Sequence, residues 1–438
     1  MNISAYLSLL LIGTLALLAS GDDERPNIVL IMADDMGYEC LSANGSLDYS
    51  TPNLDAMAKR GLRFEHCYSQ PVCTPSRVKL MTGQSNKRNY VQFGSLDRSQ
   101  TTFAHLLKKA GYATCIAGKW QLGRELDAPQ HFGFDQALLW QHTRPRNDKQ
   151  KRDTRYPNPR LERNGKQVDY ENGEFSTDVF VDFIKQFIRE HQREPFLVYY
   201  PMALVHCPFC PTPMSDDWKA SSRGSKTYKG KPEYFADMVD YADKAVGDLV
   251  SFLEESNLDE NTLIVFVGDN GTDTPIVSNT TYGKVIGAKA TTVDGGNHVP
   301  CVMQWLARTK KPGRVVTDII DFSDVLPTIC EASGAEIPSE LTIDGRSFLH
   351  QFQAKPGTPR QSIYQWYSRN GEPKKAVSFA RTQRYKLYDN GKMFDVPNDR
   401  MEQNPLAQLT AEQTAIRELL QRQLDEFEHV PNALRKKH

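Results

Sequence analysis

The sequence predicts an α/β fold, with a large, mostly parallel mixed sheet flanked by helices and a smaller C-terminal antiparallel α+β portion. Three observations predict it. Between about residues 27 and 330, short and continuously apolar runs alternate with helical patterns, as in a sheet buried on both faces. Several of those runs end in charged or amide side chains, and in open α/β sheets sites form at the C-terminal ends of the strands. Beyond about residue 340 the runs shorten and a hairpin turn signal appears. A chain of 438 residues can bury a large core and hold two domains; the expected spans are 22–340 and 341–438.

Residues 6–19 are an apolar run of signal-peptide length, too short for a comfortable bilayer span. Ser20-Gly21-Asp22-Asp23-Glu24 follows, so residues 1–21 read as a leader cleaved near Ala19 to Gly21, with an uncleaved anchor as the alternative. No later stretch is apolar enough to span a bilayer, and the mature protein is expected to be exported without a membrane span. Charge is balanced (Lys+Arg 53, Asp+Glu 54), which gives no global attraction to nucleic acid or anionic membrane.

Residues 27–32 form the first strand and run into Asp34-Asp35. Two carboxylates at the end of a buried strand require cationic partners. Thr51-Pro52 opens a short helix that Gly61 closes. Cys73-Thr74-Pro75-Ser76-Arg77 then reads as a loop feeding a helix. Thr74 or Ser76 can cap it, and Pro75 suits a first helical position. Cys73 would lie at the positive end of that helix, where anions are stabilised, with Arg77 one turn in.

Thr101 or Thr102 caps a helix over 103–109. A second strand, 113–117, ends in Gly118-Lys119-Trp120-Gln121-Leu122-Gly123. Residues 142–166 are polar and basic, with Arg144, Arg146, Arg155, Arg160, Arg163 and Lys166, and read either as a solvated surface loop or as an insertion lining the mouth of an anion site. The amphipathic helix 176–192 precedes a third strand, 196–200, with His206 just beyond it. A long helix, 233–255, leads to a fourth strand, 263–267, and to Gly268-Asp269-Asn270-Gly271. A carboxylate beside an amide oxygen suits a hard cation. A glycine-containing loop with Lys289 precedes a strand at 301–305 and a helix at 321–332. The short strands 375–381, 385–388 and 392–396 follow, the last two joined by Asp389-Asn390-Gly391. Residues 411–430 form the final helix, with Leu419, Leu420, Leu424 and Phe427 on one stripe. Among the eight cysteines, Cys207 and Cys210 have CxxC spacing. A single such pair favours a local disulfide or two packed thiols over zinc.

Taken together, Asp34-Asp35, Cys73-Thr74-Pro75-Ser76-Arg77, Lys119, His206, Asp269-Asn270 and Lys289 resemble the formylglycine-dependent (type I) sulfatases of the alkaline phosphatase superfamily. The resemblance runs from about residue 25 to the C-terminal end. It implies an alkaline phosphatase-like sheet and hydrolysis of sulfate monoesters. It also implies that a formylglycine-generating maturation enzyme oxidises Cys73 to an aldehyde whose hydrated form is the nucleophile. Asp34, Asp35, Asp269, Asn270 and the modified Cys73 would ligate one calcium (Ca2+), or magnesium in its place. Arg77 would hold the nucleophile's oxygen. Lys119, Gln121, His206 and Lys289 would surround the sulfate, with His206 and Lys289 near the leaving-group oxygen and Asp269 accepting the nucleophile's proton.

The basic 142–166 stretch and the leader favour a sulfated carbohydrate over a small aryl sulfate. The setting implied is periplasmic or extracellular, or lysosomal in a eukaryote. Three positions depart from the family pattern. Gln121 stands where Gly-Lys-Trp-His-Leu-Gly has histidine, and glutamine hydrogen-bonds but is no base near neutral pH. Asp294-Gly295-Gly296-Asn297-His298 replaces Glu-Gly-Gly-x-Arg, and Thr82-Gly83-Gln84 replaces Thr-Gly-Arg. Two other readings use the same residues: a phosphate mono- or diesterase of the superfamily, and a non-catalytic sulfated-glycan binder, which Gln121 motivates.

Overall fold

A computed structural model describes residues 25–436, so the expected leader lies outside the described residues. Ten strands form one sheet. Across it they run Arg314–Asp321, Leu62–Tyr68, His298–Gln304, Thr262–Gly268, Asn27–Ala33, Phe196–Pro201, Ala113–Lys119, Gln136–Trp140, Arg160–Arg163 and Lys166–Asp169. The five strands from Thr262–Gly268 to Gln136–Trp140 are mutually parallel. His298–Gln304 runs antiparallel to both its neighbours, and the last two strands are an antiparallel hairpin.

The central strand shows why its sequence carries no polar alternation. Ile28, Leu30 and Met32 enter the core on one face, whereas Val29, Ile31 and Ala33 enter the core on the other. Burying both faces requires an unbroken apolar run. Helices Cys73–Thr82, Phe103–Lys109 and Val325–Ser333 cover the first face. Pro52–Arg60, Ser176–His191 and Phe235–Glu255 cover the second. The result is the three-layer arrangement expected when both faces of a parallel sheet need cover.

Several boundaries differ from expectation for local reasons. The helix expected over 321–332 is a short 3-10 turn, Phe322–Asp324, followed by Val325–Ser333. Asp321 caps the turn through Ser323 N–H, and Gly334 (φ 70°) ends the helix. Thr102 caps Phe103–Lys109 in a reciprocal box with His105. Neither Thr74 nor Ser76 caps Cys73–Thr82: Cys73 is itself the first helical residue after an extended Val72. Ser76 Oγ instead accepts the Gln70 N–H (3.0 Å), and Thr74 Oγ1 accepts that of Gly94 (3.1 Å). Cys207 and Cys210 are free thiols, which selects the packed-thiol alternative.

The C-terminal strands Ile363–Tyr367, Val377–Arg381, Tyr385–Tyr388 and Met393–Asp395 form a four-stranded antiparallel sheet. The helix Ala411–Glu428 lies on it, with Phe427 stacked on Tyr364 at 4.2 Å. Trp366, Leu387 and Met393 belong to the same contiguous core as Leu80 and Phe103. Buried polar ties reinforce that junction. Lys79 pairs with Asp321 at 2.5 Å, and Gln365 Nε2 donates to the same carboxylate at 2.9 Å. Arg381 pairs with Asp294 at 2.7 Å. Lys386 pairs with Glu402 at 2.9 Å and also donates to the Thr292 carbonyl. The last two ties hold the stretch that follows Lys289.

Arg381→Leu leaves Asp294 buried without its guanidinium, which is expected to cost about 3–5 kcal/mol and to lower the urea midpoint. Arg384→Leu removes a pair whose arginine is 55% exposed, and is expected to leave the midpoint close to that of the parent. Equal midpoints for the two variants would show that the buried tie does not hold the loop.

Candidate active site

The parallel strands deliver their C-terminal ends to one place. Asp34-Asp35 follows Asn27–Ala33, Asp269-Asn270 follows Thr262–Gly268, Lys119 ends Ala113–Lys119, and His206 lies five residues beyond Phe196–Pro201. Gly118 permits the last approach of Ala113–Lys119 to its neighbour: a Cβ there would sit 2.1 Å from the Pro201 carbonyl. The Cys73 helix brings Cys73 and Arg77 up against these strand ends, one helical turn apart and on one face. Every residue from Cys73 to Thr82 is buried.

Three carboxylates meet out of reach of solvent. Asp34, Asp35 and Asp269 are all fully buried. Lys119 Nζ donates to Asp34 at 2.5 Å, and Lys289 Nζ to Asp35 at 2.5 Å. Arg77 Nη2 lies 3.9 Å from Asp34 and 3.6 Å from Asp269, while its Nη1 donates to the Lys119 carbonyl at 2.6 Å. His206 Nε2 is 3.7 Å from Asp35 Oδ2. The Asp35 N–H donates to Asp269 Oδ1 at 2.9 Å, which joins the two strand ends directly. Asn270 turns its amide nitrogen to Asp35 Oδ1 (2.8 Å). The structure therefore brings together Asp34, Asp35, Cys73, Arg77, Lys119, Gln121, His206, Asp269, Asn270 and Lys289.

The donor set fits a hard cation. Asp34 Oδ1, Asp269 Oδ2 and Asn270 Oδ1 are buried and accept no hydrogen bond among the described residues. Acceptor oxygens buried in that state are expensive unless something positive faces them. Ligand atoms of Asp34, Cys73 and Asp269 lie within 4.8 Å of one another, as do those of Asp34, Asp35 and His206. Carboxylate and amide oxygens suit magnesium or calcium better than a soft metal.

Charge state follows from burial and neighbours. Burial raises the Asp34 carboxyl, but Lys119, Arg77 and Lys289 outweigh it and hold Asp34 below the ordinary value. Burial and the adjacent Asp34 push Asp269 well above the usual range, and burial also raises Asp35 despite Lys289. Burial lifts the Cys73 thiol, so its own thiolate is disfavoured. Burial together with Lys289 and Arg155 holds His206 well below its ordinary value, in the neutral form.

Gln121 accepts the Cys73 S–H at 2.9 Å. Its backbone is left-handed (φ 56°), as are those of Asp35 (φ 62°) and Ala290 (φ 68°). Non-glycine residues in that region carry strain that the surroundings must impose, and all three sit within this site.

The cleft above Cys73 has a volume of about 470 Å3. Arg146, Arg155, Tyr228, Lys229 and Arg369 line it along with the residues named. The basic stretch thus reaches the cleft through Arg146 and Arg155 only. Arg144 and Arg160 instead neutralise Asp169, and Arg163 donates to Gln186. Arg155 is buried at the base of the cleft, not at its mouth, and Arg369 arrives from the C-terminal sheet. No local pattern marks either residue; for Arg155 the one sequence signal is membership of the basic run.

An α/β/α sandwich that gathers three carboxylates, an amide oxygen and several cations round one cysteine at its strand ends is equipped to handle an oxyanionic ester. The chain belongs to the sulfatase family: the Sulfatase family model matches residues 26–335, and that of the N-sulphoglucosamine sulphohydrolase C-terminal region matches 289–429. It is a sulfuric ester hydrolase. N-acetylgalactosamine-6-sulfatase of Mus musculus is 31% identical over 374 residues, covering 78% of this chain and 69% of the relative. Arylsulfatase A of Homo sapiens is 30% identical over 401 residues, covering 83% and 74%. The crystal structure of Ps i-CgsB in complex with k-i-k-neocarrahexaose superposes with a TM-score of 0.75 at 24% identity, covering 93% of this chain and 94% of that one. Among the described residues no helix is long and apolar enough to cross a membrane.

The raised Asp269 and Asp35 carboxyls bind protons more tightly than they would in the unfolded chain. Without a cation, the stability they confer is lost as pH rises from the ordinary carboxyl value through the raised ones. A divalent cation competes for the same oxygens. A divalent cation such as calcium is therefore expected to raise Tm little near the ordinary carboxyl value and progressively more as pH rises above it, where a concentration of a hundred times Kd is worth about 2.7 kcal/mol. Differential scanning calorimetry with and without chelator checks this, and a calcium effect that shrinks as pH rises would contradict it.

Proposed function

We propose that this sulfatase removes a sulfate monoester from a sulfated carbohydrate, with Cys73 converted to formylglycine as the nucleophile and calcium held by Asp34, Asp35, Asp269 and Asn270. One observation carries the reading. Cys73 begins a buried helix beside Arg77, and a pocket of unsatisfied Asp34, Asp269 and Asn270 oxygens adjoins it. A thiol so placed, raised in pKa and beside a carboxylate cluster, is a poor thiolate nucleophile. It makes better sense as the precursor of an oxygen nucleophile. A hydrated aldehyde there supplies one hydroxyl to attack sulfur and a second whose deprotonation expels sulfate. The cation supplies charge neutralisation for oxygens near the sulfur.

The chain's own residues then have distinct tasks. Arg77 holds the oxygen borne by residue 73. Lys119, His206 and Lys289 surround the sulfate, and their donors meet the charge that develops as the S–O bond breaks. His206 and Lys289 lie on the side of the leaving-group oxygen. Asp269 accepts the nucleophile's proton. Gln121 contributes a hydrogen bond where a histidine would contribute a base. Carbohydrate substrates are supported by the names of the relatives, N-acetylgalactosamine-6-sulfatase among them, and by the neocarrahexaose bound to a protein of the same fold. A cleft of about 470 Å3 has room for a saccharide around the sulfate. The apolar leader and the need for a formylglycine-generating enzyme fit an exported protein, periplasmic or extracellular, or lysosomal in a eukaryote.

The protein co-produced with a formylglycine-generating enzyme is expected to lose, at Cys73, the mass that separates a CH2SH side chain from a CHO one, as read by peptide mass spectrometry. It should hydrolyse members of a panel of sulfated saccharides in the presence of calcium, with Cys73→Ala reducing turnover at least about a thousandfold. Phosphate-ester turnover exceeding sulfate turnover would favour the phosphoesterase reading. Saccharide binding without turnover by fully modified protein would favour the binder. Gln121→His is expected to introduce an ionisation near the ordinary histidine value, about 6.5, into the pH profile of kcat, absent from the parent; superimposable profiles would show that position 121 plays no part in proton transfer.

A further inference from the structure

Among the described residues, six basic side chains line the cleft: Lys119, Arg146, Arg155, Lys229, Lys289 and Arg369. One carboxylate, that of Asp273, lines it with them. Five of the six cations already face a carboxylate. Lys119 pairs with Asp34, Lys289 with Asp35 and Lys229 with Asp273, each at 2.5 Å. Arg146 and Arg155 share Asp153, at 3.5 and 3.8 Å. Arg369 differs. It is exposed, its guanidinium carbon lies 5.4 Å from the centre of the Phe93 ring, and among the described residues it pairs with no carboxylate.

An arginine on a loosely held surface loop would be unremarkable, but the backbone beneath this one is fixed. Tyr90, itself 1% exposed, donates its hydroxyl proton to the Arg369 carbonyl at 2.6 Å. The Gly371 N–H donates to the Ser368 carbonyl at 3.1 Å. Gly371 is left-handed (φ 72°), and a Cβ there would sit 2.0 Å from the Val91 carbonyl oxygen. The turn 368–371, just beyond the strand Ile363–Tyr367, is therefore seated on residues 90–91, and Phe93 follows two residues later in the cleft wall. This contact sets an arginine beside an aromatic ring. The ring offers apolar surface to the C–H groups of a sugar, and the guanidinium offers a planar fork of donors that matches a carboxylate or a sulfate. Holding such a cation near five others is unfavourable unless an anion arrives to meet it.

We propose that Arg369, with Phe93 beside it, forms a subsite for a second anionic group of the saccharide, a carboxylate or a further sulfate near the reacting ester, so that the preferred substrate is a polyanionic saccharide. The reacting sulfate ester carries a single negative charge, and Lys119, His206 and Lys289 already surround it. Arg369 is left to meet a different anion. That anion keeps its charge throughout the reaction, so Arg369 binds ground state and transition state alike. It lowers KM and leaves kcat unchanged. Because the guanidinium is exposed, salt weakens its contribution. This assignment rests on the reading of the cleft as a sulfate-ester site.

The test uses the full chain carrying formylglycine and pairs of saccharides that share one sulfate ester and differ in a second anion. One pair is a sulfated hexosamine linked to a uronic acid and its carboxyl-reduced counterpart. The other is a disulfated hexosamine and its monosulfated forms. In the wild type, kcat/KM should be at least about tenfold higher for the doubly anionic member of one pair, and that pair identifies the second anion as carboxylate or sulfate. Arg369→Gln should abolish the preference through KM, with kcat, and turnover of the singly anionic member, within about twofold of wild type. Arg369→Lys should keep part of the preference. Arg384→Gln, which removes an exposed arginine that does not line the cleft, should keep all of it. A wild type indifferent to the second anion in both pairs overturns the proposal. So does a preference that survives Arg369→Gln, an equal loss in Arg384→Gln, or an Arg369→Gln loss that falls equally on both members of a pair. A wild type that turns over no sulfate ester sinks the sulfate-ester reading instead. Titration calorimetry of the same pairs on Cys73→Ala then decides the subsite, and equal binding of both members, or binding of neither, overturns it.

Discussion

The molecule is organised around the burial of three like charges. Asp34, Asp35 and Asp269 sit at two adjacent strand ends with no exposure to solvent. Two unit charges 4 Å apart repel by about 4 kcal/mol at an effective dielectric of 20. The fold opposes this with cations drawn from three separate parts of the chain. Lys119 arrives on another strand, Arg77 on a buried helix and Lys289 on a loop. Each is secured before any substrate enters: Lys119 and Lys289 by direct pairing at 2.5 Å, and Arg77 by the Lys119 carbonyl. The compensation is still incomplete, because one oxygen of each of Asp34, Asp269 and Asn270 accepts no hydrogen bond among the described residues. A protein that holds acceptors in that state is preorganised for positive charge, and the strained φ at Asp35 and Gln121 belongs to the same preorganisation.

That centre depends on structure far from it in sequence. The loop carrying Lys289 has little regular structure of its own and turns at Ala290 in a left-handed conformation. Arg381 and Lys386 reach it from the C-terminal sheet, one gripping Asp294 and the other the Thr292 carbonyl. Lys79, six residues beyond Cys73, is tied to Asp321 and through it to Gln365 of the same sheet. The C-terminal strands therefore brace both the helix that presents Cys73 and the loop that presents Lys289. Arg369 extends this role to the cleft wall itself.

The strands buried on both faces are legible in the sequence because a short, continuous apolar run bounded by turn residues suits little but a doubly covered strand. The strand-end Asp34-Asp35 and Asp269-Asn270 are legible for the complementary reason, since charge directly after such a run demands a partner. Less legible are the strands whose side chains meet mixed surroundings. Leu62–Tyr68 mixes Arg63, Glu65 and His66 with apolar residues, and the hairpin Arg160–Arg163 and Lys166–Asp169 lies at the sheet edge with half of its residues exposed. The reversed direction of His298–Gln304 cannot be read either, because direction is set by topology and not by the strand's own residues. The cap expected at Thr74 or Ser76 does not form because both hydroxyls bond to neighbouring loops, which no local pattern reveals. Arg155 is hidden by its company: within a basic run, nothing distinguishes the buried arginine that lines the cleft from those that pair elsewhere.

The two polar neighbours of the cysteine, Gln121 and His206, have a common consequence. Gln121 cannot titrate, although it occupies the position from which it contacts Cys73 at 2.9 Å. His206 could, but burial with Lys289 and Arg155 holds it neutral, and Arg155 engages its second nitrogen. On the proposed reading, neither side chain carries protons through the cycle near neutral pH. Proton traffic then falls to the groups joined to the buried cluster, Asp269 and Lys289. Burial first and the neighbouring Asp34 second raise Asp269, so on that reading its readiness to accept a proton depends on what neutralises the cluster. On the proposed reading, the oxygens that would position a cation also determine when the nucleophile can lose its proton, and the chemistry is coupled to metal occupancy more tightly than in a site served by a free histidine.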